Sequence, residues 1–167
     1  GLDLRDLSCR VSLESEQTNV SNLVLKTGNS QLKMNLRAES GISDFGMETP
    51  IQLSIDGNIA GQDVLLFLPD SNDQITRWLS DKIFSLSGLV KGKVDQLNIT
   101  RFEIGATDGF SLKSEGSVSC VTDMEKMAGE LNLAFVVDRG TYFAPLLSEN
   151  GEAGFVLPDH LSLTTDV

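Results

Sequence analysis

Residues that could carry catalysis or bind a metal are few in this chain. His160 is the single histidine, and it follows Asp159 near the end of the sequence. A lone histidine in such a position is most often a surface residue and only seldom a metal ligand, and catalysis needs further groups that converge on it. Cys9 and Cys120 have no histidine near them in sequence and match no metal-binding spacing, so we expect two unpaired thiols rather than a disulfide.

Motifs for nucleophilic catalysis or phosphate binding are also missing from the sequence. The chain has no Gly-x-Ser-x-Gly and no Gly-x-x-x-x-Gly-Lys segment. Gly57 to Gly61 resembles a glycine-rich loop, but the carboxylate of Asp63 is a poor neighbour for phosphate. We therefore expect a protein that is not an enzyme, with no catalytic residue, no metal and no cofactor.

Composition and charge exclude several classes of partner. Lys and Arg total 13 against 24 for Asp and Glu, which gives a formal charge of −11 without any basic cluster. We therefore expect no nucleic-acid partner and no docking onto anionic headgroups, although burial of acyl chains in an apolar cleft needs no basic patch. No apolar run approaches the roughly 18 to 20 residues of a spanning helix, so we expect no membrane-spanning segment in this chain.

The elements that would position any site come from an internal repeat. The stretch Val20 to Leu36 returns as Ile99 to Ser114, and one constant spacing leads from Val20, Leu23 and Leu25 to Ile99, Phe102 and Ile104. Apolar side chains alternate in both copies around a small polar turn, which predicts a hairpin with one apolar face. We assign residues 1–80 to a first repeat, 81–160 to a second and 161–167 to the start of a third, as in a fragment of a longer protein.

Strand alternation predicts which side chains share a face. Lys26, Lys33, Glu103 and Lys113 should face water. The residues on the opposite face are candidates to line a hydrophobic groove: Leu23, Leu25, Leu32, Met34, Leu36, Leu53, Ile55, Phe102, Ile104, Leu112, Leu131, Leu133 and Phe135.

Two architectures fit this pattern. One is a mainly β fold in which tandem antiparallel repeats form a curled, groove-like sheet with one or two short helices. The alternative is a β-sandwich, in which two apolar sheet faces bury each other. We also expect a one-sided helix over Asn72 to Asp81, packed on the core through Trp78, and a bulge at Arg5 and Asp6 in the first strand.

Three segments carry a resemblance to a known family. LVLKTGNSQLKMNL, DVLLFLP and FSLSGLVKGKVDQLNITRFEIGATDGFSLKSEGSVS together resemble the AsmA-like and TamB superfamily of bacterial envelope proteins, in the Bacteroidetes type of repeat. The resemblance implies a long periplasmic β-groove, the "β-taco", anchored in the inner membrane by a helix absent here. It also implies no catalytic residues.

The resemblance and the residue pattern lead to two hypotheses. In the first, the chain is a segment of a periplasmic groove that shields phospholipid acyl chains during transport to the outer membrane, or supports outer-membrane biogenesis with an outer-membrane assembly protein as a partner. In the second, it is a structural or protein-binding β module, such as a chaperone groove for outer-membrane protein strands or an adhesin-like domain.

Overall fold

The chain folds into strands over most of its length, as the alternation of apolar and polar side chains requires. A computed structural model describes residues 3–68, 73–107, 109–123, 125–149, 152–153, 158 and 160–166. The strands are β1 (Asp6–Glu14), β2 (Gln17–Lys26), β3 (Gln31–Ala38), β4 (Pro50–Ala60), β5 (Ile83–Lys93), β6 (Gln96–Ala106), β7 (Phe110–Ser119), β8 (Ala128–Val137), β9 (Ser148–Glu149), β10 (Glu152–Ala153) and β11 (Leu161–Asp166).

Nine of these strands form a single open antiparallel sheet. Their order is β1-β2-β3-β4-β5-β6-β7-β8-β11, so each strand pairs with its neighbour in sequence until β11 joins β8. The prediction of a mainly β fold built from antiparallel strands is confirmed. Within the described part of the chain the only other sheet is the two-stranded β9–β10 pair, and the alternative β-sandwich is not formed.

The strand register recurs at the spacing of the sequence repeat. Leu25 pairs with Leu32 in the first copy, and Ile104 pairs with Leu112 in the second. A bulge interrupts the β2–β3 ladder between Val20 and Leu23, and another interrupts the β6–β7 ladder at the equivalent place in the second copy, between Ile99 and Phe102. Because a bulge bends its strand and increases the local twist, both copies curve at the same place.

The first bulge is stabilised locally by two asparagines. Asn22 has a φ of 53°, and its backbone N–H donates to Asn35 Oδ1 at 2.9 Å. Asparagine tolerates this left-handed conformation better than most residues. In the β1–β2 ladder the register shifts between Ser8 and Arg10, where two steps on β1 face three on β2, so the extra residue belongs to β2. The prediction of a bulge at Arg5 and Asp6 is therefore wrong. The break in alternation at Arg5 and Asp6 lies at the start of β1, which begins at Asp6.

Short helical segments cluster where β4 and β8 end. They are α1 (Gly61–Val64) with a 3₁₀ turn over Leu65–Phe67, α2 (Asp73–Leu79), a 3₁₀ turn over Gly140–Phe143, and α3 (Ala144–Leu147). The helix expected over Asn72 to Asp81 is therefore shorter at its carboxyl end, and Asn72 lies outside the described residues. A third 3₁₀ turn, Ile42–Asp44, lies in the β3–β4 loop.

The interior of the molecule is small. Its accessible surface is 10853 Å², against about 8,100 Å² for a compact monomer of this size. Val137 is the largest fully buried side chain among the described residues. In the part of the chain that the structure describes no second sheet packs on the nine-stranded one, so much of one sheet face stays uncovered, which accounts for the excess surface.

Candidate functional site

A row of apolar residues crosses the whole sheet at one level. Cross-strand pairs link each member to the next on the same face of the sheet. Glycine occupies one position in this row, and the other positions hold leucine, isoleucine or phenylalanine. The row consists of Leu7, Leu25, Leu32, Gly57, Leu86, Ile104, Leu112, Phe135 and Leu163.

Two further rows run parallel to the first, each displaced along the strands to the next positions on the same face. The second row contains Leu23, Met34, Ile55, Gly88, Phe102, Ser114 and Leu133. The third contains Val20, Leu36, Leu53, Val90, Ile99, Gly116 and Leu131. We call the surface formed by these three rows the apolar face.

All thirteen groove candidates lie on the apolar face, and each is half-buried. The structure adds residues that the sequence reasoning did not select, chiefly Leu86 and Val90 of β5 and the edge residues Leu7 and Leu163. The same alternation runs through β5 and could have identified Leu86 and Val90. Leu7 and Leu163 are 60% and 56% exposed, because they lie on the two edge strands.

The opposite face of the sheet carries charged and polar side chains. Lys113 Nζ lies 3.6 Å from Glu103 Oε1 across the β6–β7 pair, and Lys26 Nζ lies 3.8 Å from Asp6 Oδ2 across β1–β2. Lys33 is exposed on the same surface, where it pairs with Asp56 in the ladder. The sheet is therefore two-sided, apolar on one face and solvated on the other.

An aromatic cluster covers the apolar face at one end of the second copy. Phe110 of β7 lies 5.5 Å from Phe143, 5.8 Å from Tyr142 and 6.1 Å from Phe84, measured between ring centroids. Trp78 of α2 stacks on Phe143 at 5.8 Å. We call this group the aromatic cap: Trp78, Phe84, Phe110, Phe135, Tyr142 and Phe143.

Hydrogen bonds fix α2 onto the segment that follows β8. Trp78 Nε1 donates to the backbone oxygen of Tyr142 at 2.9 Å, and Gln74 Nε2 donates to the backbone oxygen of Pro145. The expectation that Trp78 packs inward is consistent with these contacts. The acceptors lie at the end of the second copy, whereas α2 lies at the end of the first, so no local pattern could have identified these contacts.

Tyr142 is the one titratable group in the aromatic cap. Its hydroxyl is buried and has no hydrogen-bond partner among the described residues. Burial raises the pKa of Tyr142 above its usual 10.0, and the negative charge of Asp81 raises it further. The ammonium group of Lys82 lies 5.3 Å from the centre of the Tyr142 ring.

A polar cluster holds the corresponding end of the first copy. Thr27 Oγ1 donates to Asp63 Oδ2 at 2.5 Å, and Ser30 Oγ donates to the same carboxylate oxygen. Ser30 Oγ also accepts the backbone N–H of Ala60 at 2.9 Å. Thr27 and Ser30 are each only 7% exposed, so Asp63 fastens the β2–β3 turn to the start of α1. We call the group formed by Thr27, Ser30 and Asp63 the polar clasp.

The residues first considered for chemistry do not converge. His160 is exposed, with a φ of 60°, and Cys9 and Cys120 are both free. Among the described residues no group of three or more His, Cys, Asp or Glu side chains could hold a metal ion. No helix in the described part of the chain is long and apolar enough to cross a membrane.

Comparison of the chain with protein-family models, curated proteins and solved structures finds no match. The arrangement of residues is thus the basis for any functional conclusion. The apolar face offers extended hydrophobic contact without a directional polar group in its three rows other than Ser114. Such a surface can bind by burial of apolar area, and it has no means to orient a small polar ligand.

Proposed function

We propose that the apolar face shields phospholipid acyl chains, and that the chain is a segment of a periplasmic groove protein of the AsmA-like and TamB type. The observation that carries the proposal is the continuity of three apolar rows across a sheet on which, among the described residues, no second sheet packs. Exposed apolar patches larger than a few hundred Å² are uncommon on soluble monomers unless they bind something. Transport of phospholipid toward the outer membrane, or support of outer-membrane biogenesis, is the process that such a groove would serve.

The energetics of the apolar face suit acyl chains. Each buried methylene contributes about 0.8 kcal/mol of transfer free energy, so a chain lying across several strands is held by many small contributions. Because most positions of the three rows hold aliphatic side chains of similar size, we expect no single aliphatic position to trap the chain. Movement along the rows then costs little free energy.

The location of the protein is part of the same proposal. The resemblance in the sequence suggests the periplasm and an inner-membrane anchor in a segment that is not in this chain. The formal charge of −11 disfavours binding of anionic headgroups to the polar face of the sheet, opposite the apolar face. Lipid would therefore contact the apolar face through its tails.

The test is photocrosslinking in cells that produce the full-length protein. A photoreactive amino acid at Phe102 or Ile104 should capture phospholipid, because both side chains lie on the apolar face. The matched control is Glu103, which lies between them in sequence and faces the opposite side, 3.6 Å from Lys113. Equal lipid capture at all three positions, or capture at none, would contradict the proposal.

A charge on the apolar face provides a second test. Ile104→Asp places a carboxylate in the middle of the first row, where burial against hydrocarbon costs several kcal/mol. Lipid capture by a probe at Phe102 should fall strongly in this variant. Glu103→Gln, the neighbouring substitution on the polar face, should leave capture unchanged, and circular dichroism of both variants would verify that the sheet is intact.

The open sheet edge favours a second candidate, a β module that binds protein strands. Every residue of β1 is exposed. In that case a probe at Leu7 of β1 would crosslink to a polypeptide, and probes at Phe102 and Ile104 on β6 would capture no lipid. The same experiment therefore separates the two candidates.

A further inference from the structure

Two small residues of the strand β7 follow one another on the apolar face. Ser114 belongs to the second row and Gly116 to the third. The residues opposite them on β6 and β8 are all large and apolar: Phe102, Ile99, Leu131 and Leu133. The apolar face therefore has a depression at this place, bordered on both sides by larger side chains. We call Ser114 and Gly116 the β7 notch.

The first copy has no equivalent notch. In its strand pairing Met34 occupies the place of Ser114, and Leu36 occupies the place of Gly116. Gly116 has a conformational reason to be glycine, because its φ is 144° and a Cβ there would collide with the backbone oxygen of Glu130. No such constraint applies to Ser114, whose φ is negative. Since an apolar side chain fills the equivalent position in the first copy, strand formation does not require a serine here.

The hydroxyl of Ser114 is nearly buried and unpaired. Ser114 is 8% exposed, and the other nearly buried polar residues in the described part of the chain are Thr27, Ser30 and Thr49. Each of those three hydroxyls makes a hydrogen bond. The Ser114 hydroxyl makes none with the described residues, and unlike that of Tyr142 it is not enclosed. Because a polar group withdrawn from water without a partner costs free energy, this hydroxyl is suited to an acceptor on a bound ligand.

We propose that Ser114 is a subsite for the ester group of a bound phospholipid, where its hydroxyl donates a hydrogen bond to an acyl ester carbonyl. This inference rests on the proposed function, and it adds which part of the lipid is recognised and at which position. An ester carbonyl is a neutral acceptor attached directly to a hydrocarbon chain, so it matches a single donor among apolar side chains. The three rows, all of them described residues, contain no charged side chain that would pair with a phosphate.

The neighbours of the β7 notch suit the rest of the lipid. With the carbonyl at Ser114, the hydrocarbon would lie against Phe102 and Leu133, which flank the serine on its two sides. Gly116 has no side chain and leaves room for the glycerol. Because the hydrogen bond adds to the burial of the acyl chain, a lipid should stay longer at the β7 notch than at the aliphatic positions of the rows.

The test compares two soluble, short-chain phosphatidylcholines that differ in their linkage. The diester form carries isotope-labelled carbonyls, and the diether form has chains of the same length without a carbonyl. In calorimetry Ser114→Ala should weaken binding of the diester by about two- to tenfold, the effect of one hydrogen bond, and leave binding of the diether unchanged. In infrared spectra of the complex, the labelled ester band should move to higher frequency in Ser114→Ala, because the carbonyl loses its hydrogen bond.

The matched control is Ser117→Ala, the same substitution further along β7 at an exposed position on the opposite face. It should change neither the affinity for the diester nor the infrared band. No loss of affinity in Ser114→Ala, an equal loss for diester and diether, an unshifted band, or an equally large effect of Ser117→Ala would each overturn the subsite alone. If neither lipid bound the parent chain, the proposed function would fail together with the subsite, so the two failures are distinguishable.

Discussion

The two copies of the repeat make the same junction with different chemistry. In each copy the turn between the second and third strands meets the helical segment that follows the fourth strand. In the first copy Ser30 and Thr27 donate hydrogen bonds to Asp63. In the second copy Phe110, at the place equivalent to Ser30, packs against Tyr142 and Phe143. The backbone arrangement is shared, and the interactions that stabilise it are not.

The difference affects how much of the apolar face is covered. The aromatic cap brings α2 and the segment after β8 onto the second copy through Trp78. The first copy has the polar clasp at its margin and aliphatic rows beyond it. The apolar face of the first copy is therefore covered by fewer aromatic side chains. A repeat can keep its strand register while its two copies diverge in their side-chain contacts, because register depends on alternation and not on the identity of each side chain.

Phe110→Ala should produce the largest loss of stability. It removes a ring in contact with four others, and such deletions cost about 3 to 4 kcal/mol. Leu25→Ala is the control in the first copy, where the side chain is half-buried and belongs to no aromatic cluster, and it should cost about 1 kcal/mol. Urea unfolding of both variants measures the difference. Equal losses would mean that the aromatic cap adds nothing to the second copy.

Asp63→Ala should cause the second-largest loss of stability, with a decrease of about 2 kcal/mol in the free energy of unfolding, because two nearly buried hydroxyls lose the acceptor of their hydrogen bonds. The chain offers a matched control in Thr141, which occupies the equivalent place in the second copy and is exposed. Thr141→Ala should change the free energy of unfolding by less than about 0.5 kcal/mol. If the two substitutions had the same effect, the polar clasp would not distinguish the copies.

Tyr142→Phe should stabilise the protein slightly, by up to about 1 kcal/mol, because it removes a buried hydroxyl that has no partner among the described residues. The effect should also depend on pH. The pKa of Tyr142 is raised in the folded state. The stability that the neutral hydroxyl contributes is therefore fully present at pH values below the unfolded pKa of about 10, and it is lost as the pH rises through the folded pKa. Stability of the parent chain should fall more steeply than that of Tyr142→Phe above about pH 10.

Substitutions on the polar face should have the smallest effect on the free energy of unfolding. Lys113→Ala breaks the ion pair with Glu103, but these side chains are 59% and 38% exposed. Exposed pairs contribute about 0.2 to 1 kcal/mol, and salt screens them. Lys91→Ala is the control, because Lys91 is exposed on β5 between two uncharged residues, Gln52 and Asn98. A loss in Lys113→Ala that persists in high salt would indicate packing by the lysine stem rather than attraction between charges.

Much of the sheet could be predicted from the sequence, including which side chains share a face. The thirteen groove candidates were identified by alternation alone, and cross-strand pairing places them all on one face. The prediction of a bulge at Arg5 and Asp6 was wrong, because a phase slip in one strand does not show which strand of the pair carries the extra residue, and here β2 carries it. The polar clasp at Asp63 was missed, since a single Asp, Ser and Thr have no characteristic spacing.

The sequence by itself determined the strands, their faces and the repeat, because side-chain alternation is a local property that recurs at every second position. Only the tertiary structure decided that the nine strands form one open sheet instead of two stacked ones, since both arrangements use the same alternation. It also decided the aromatic cap. Four antiparallel strands lie between α2 and the segment after β8, and they return the chain to the end of the sheet where α2 lies, so that Trp78 meets Tyr142. Contacts between residues so far apart in sequence leave no periodic signal along the chain.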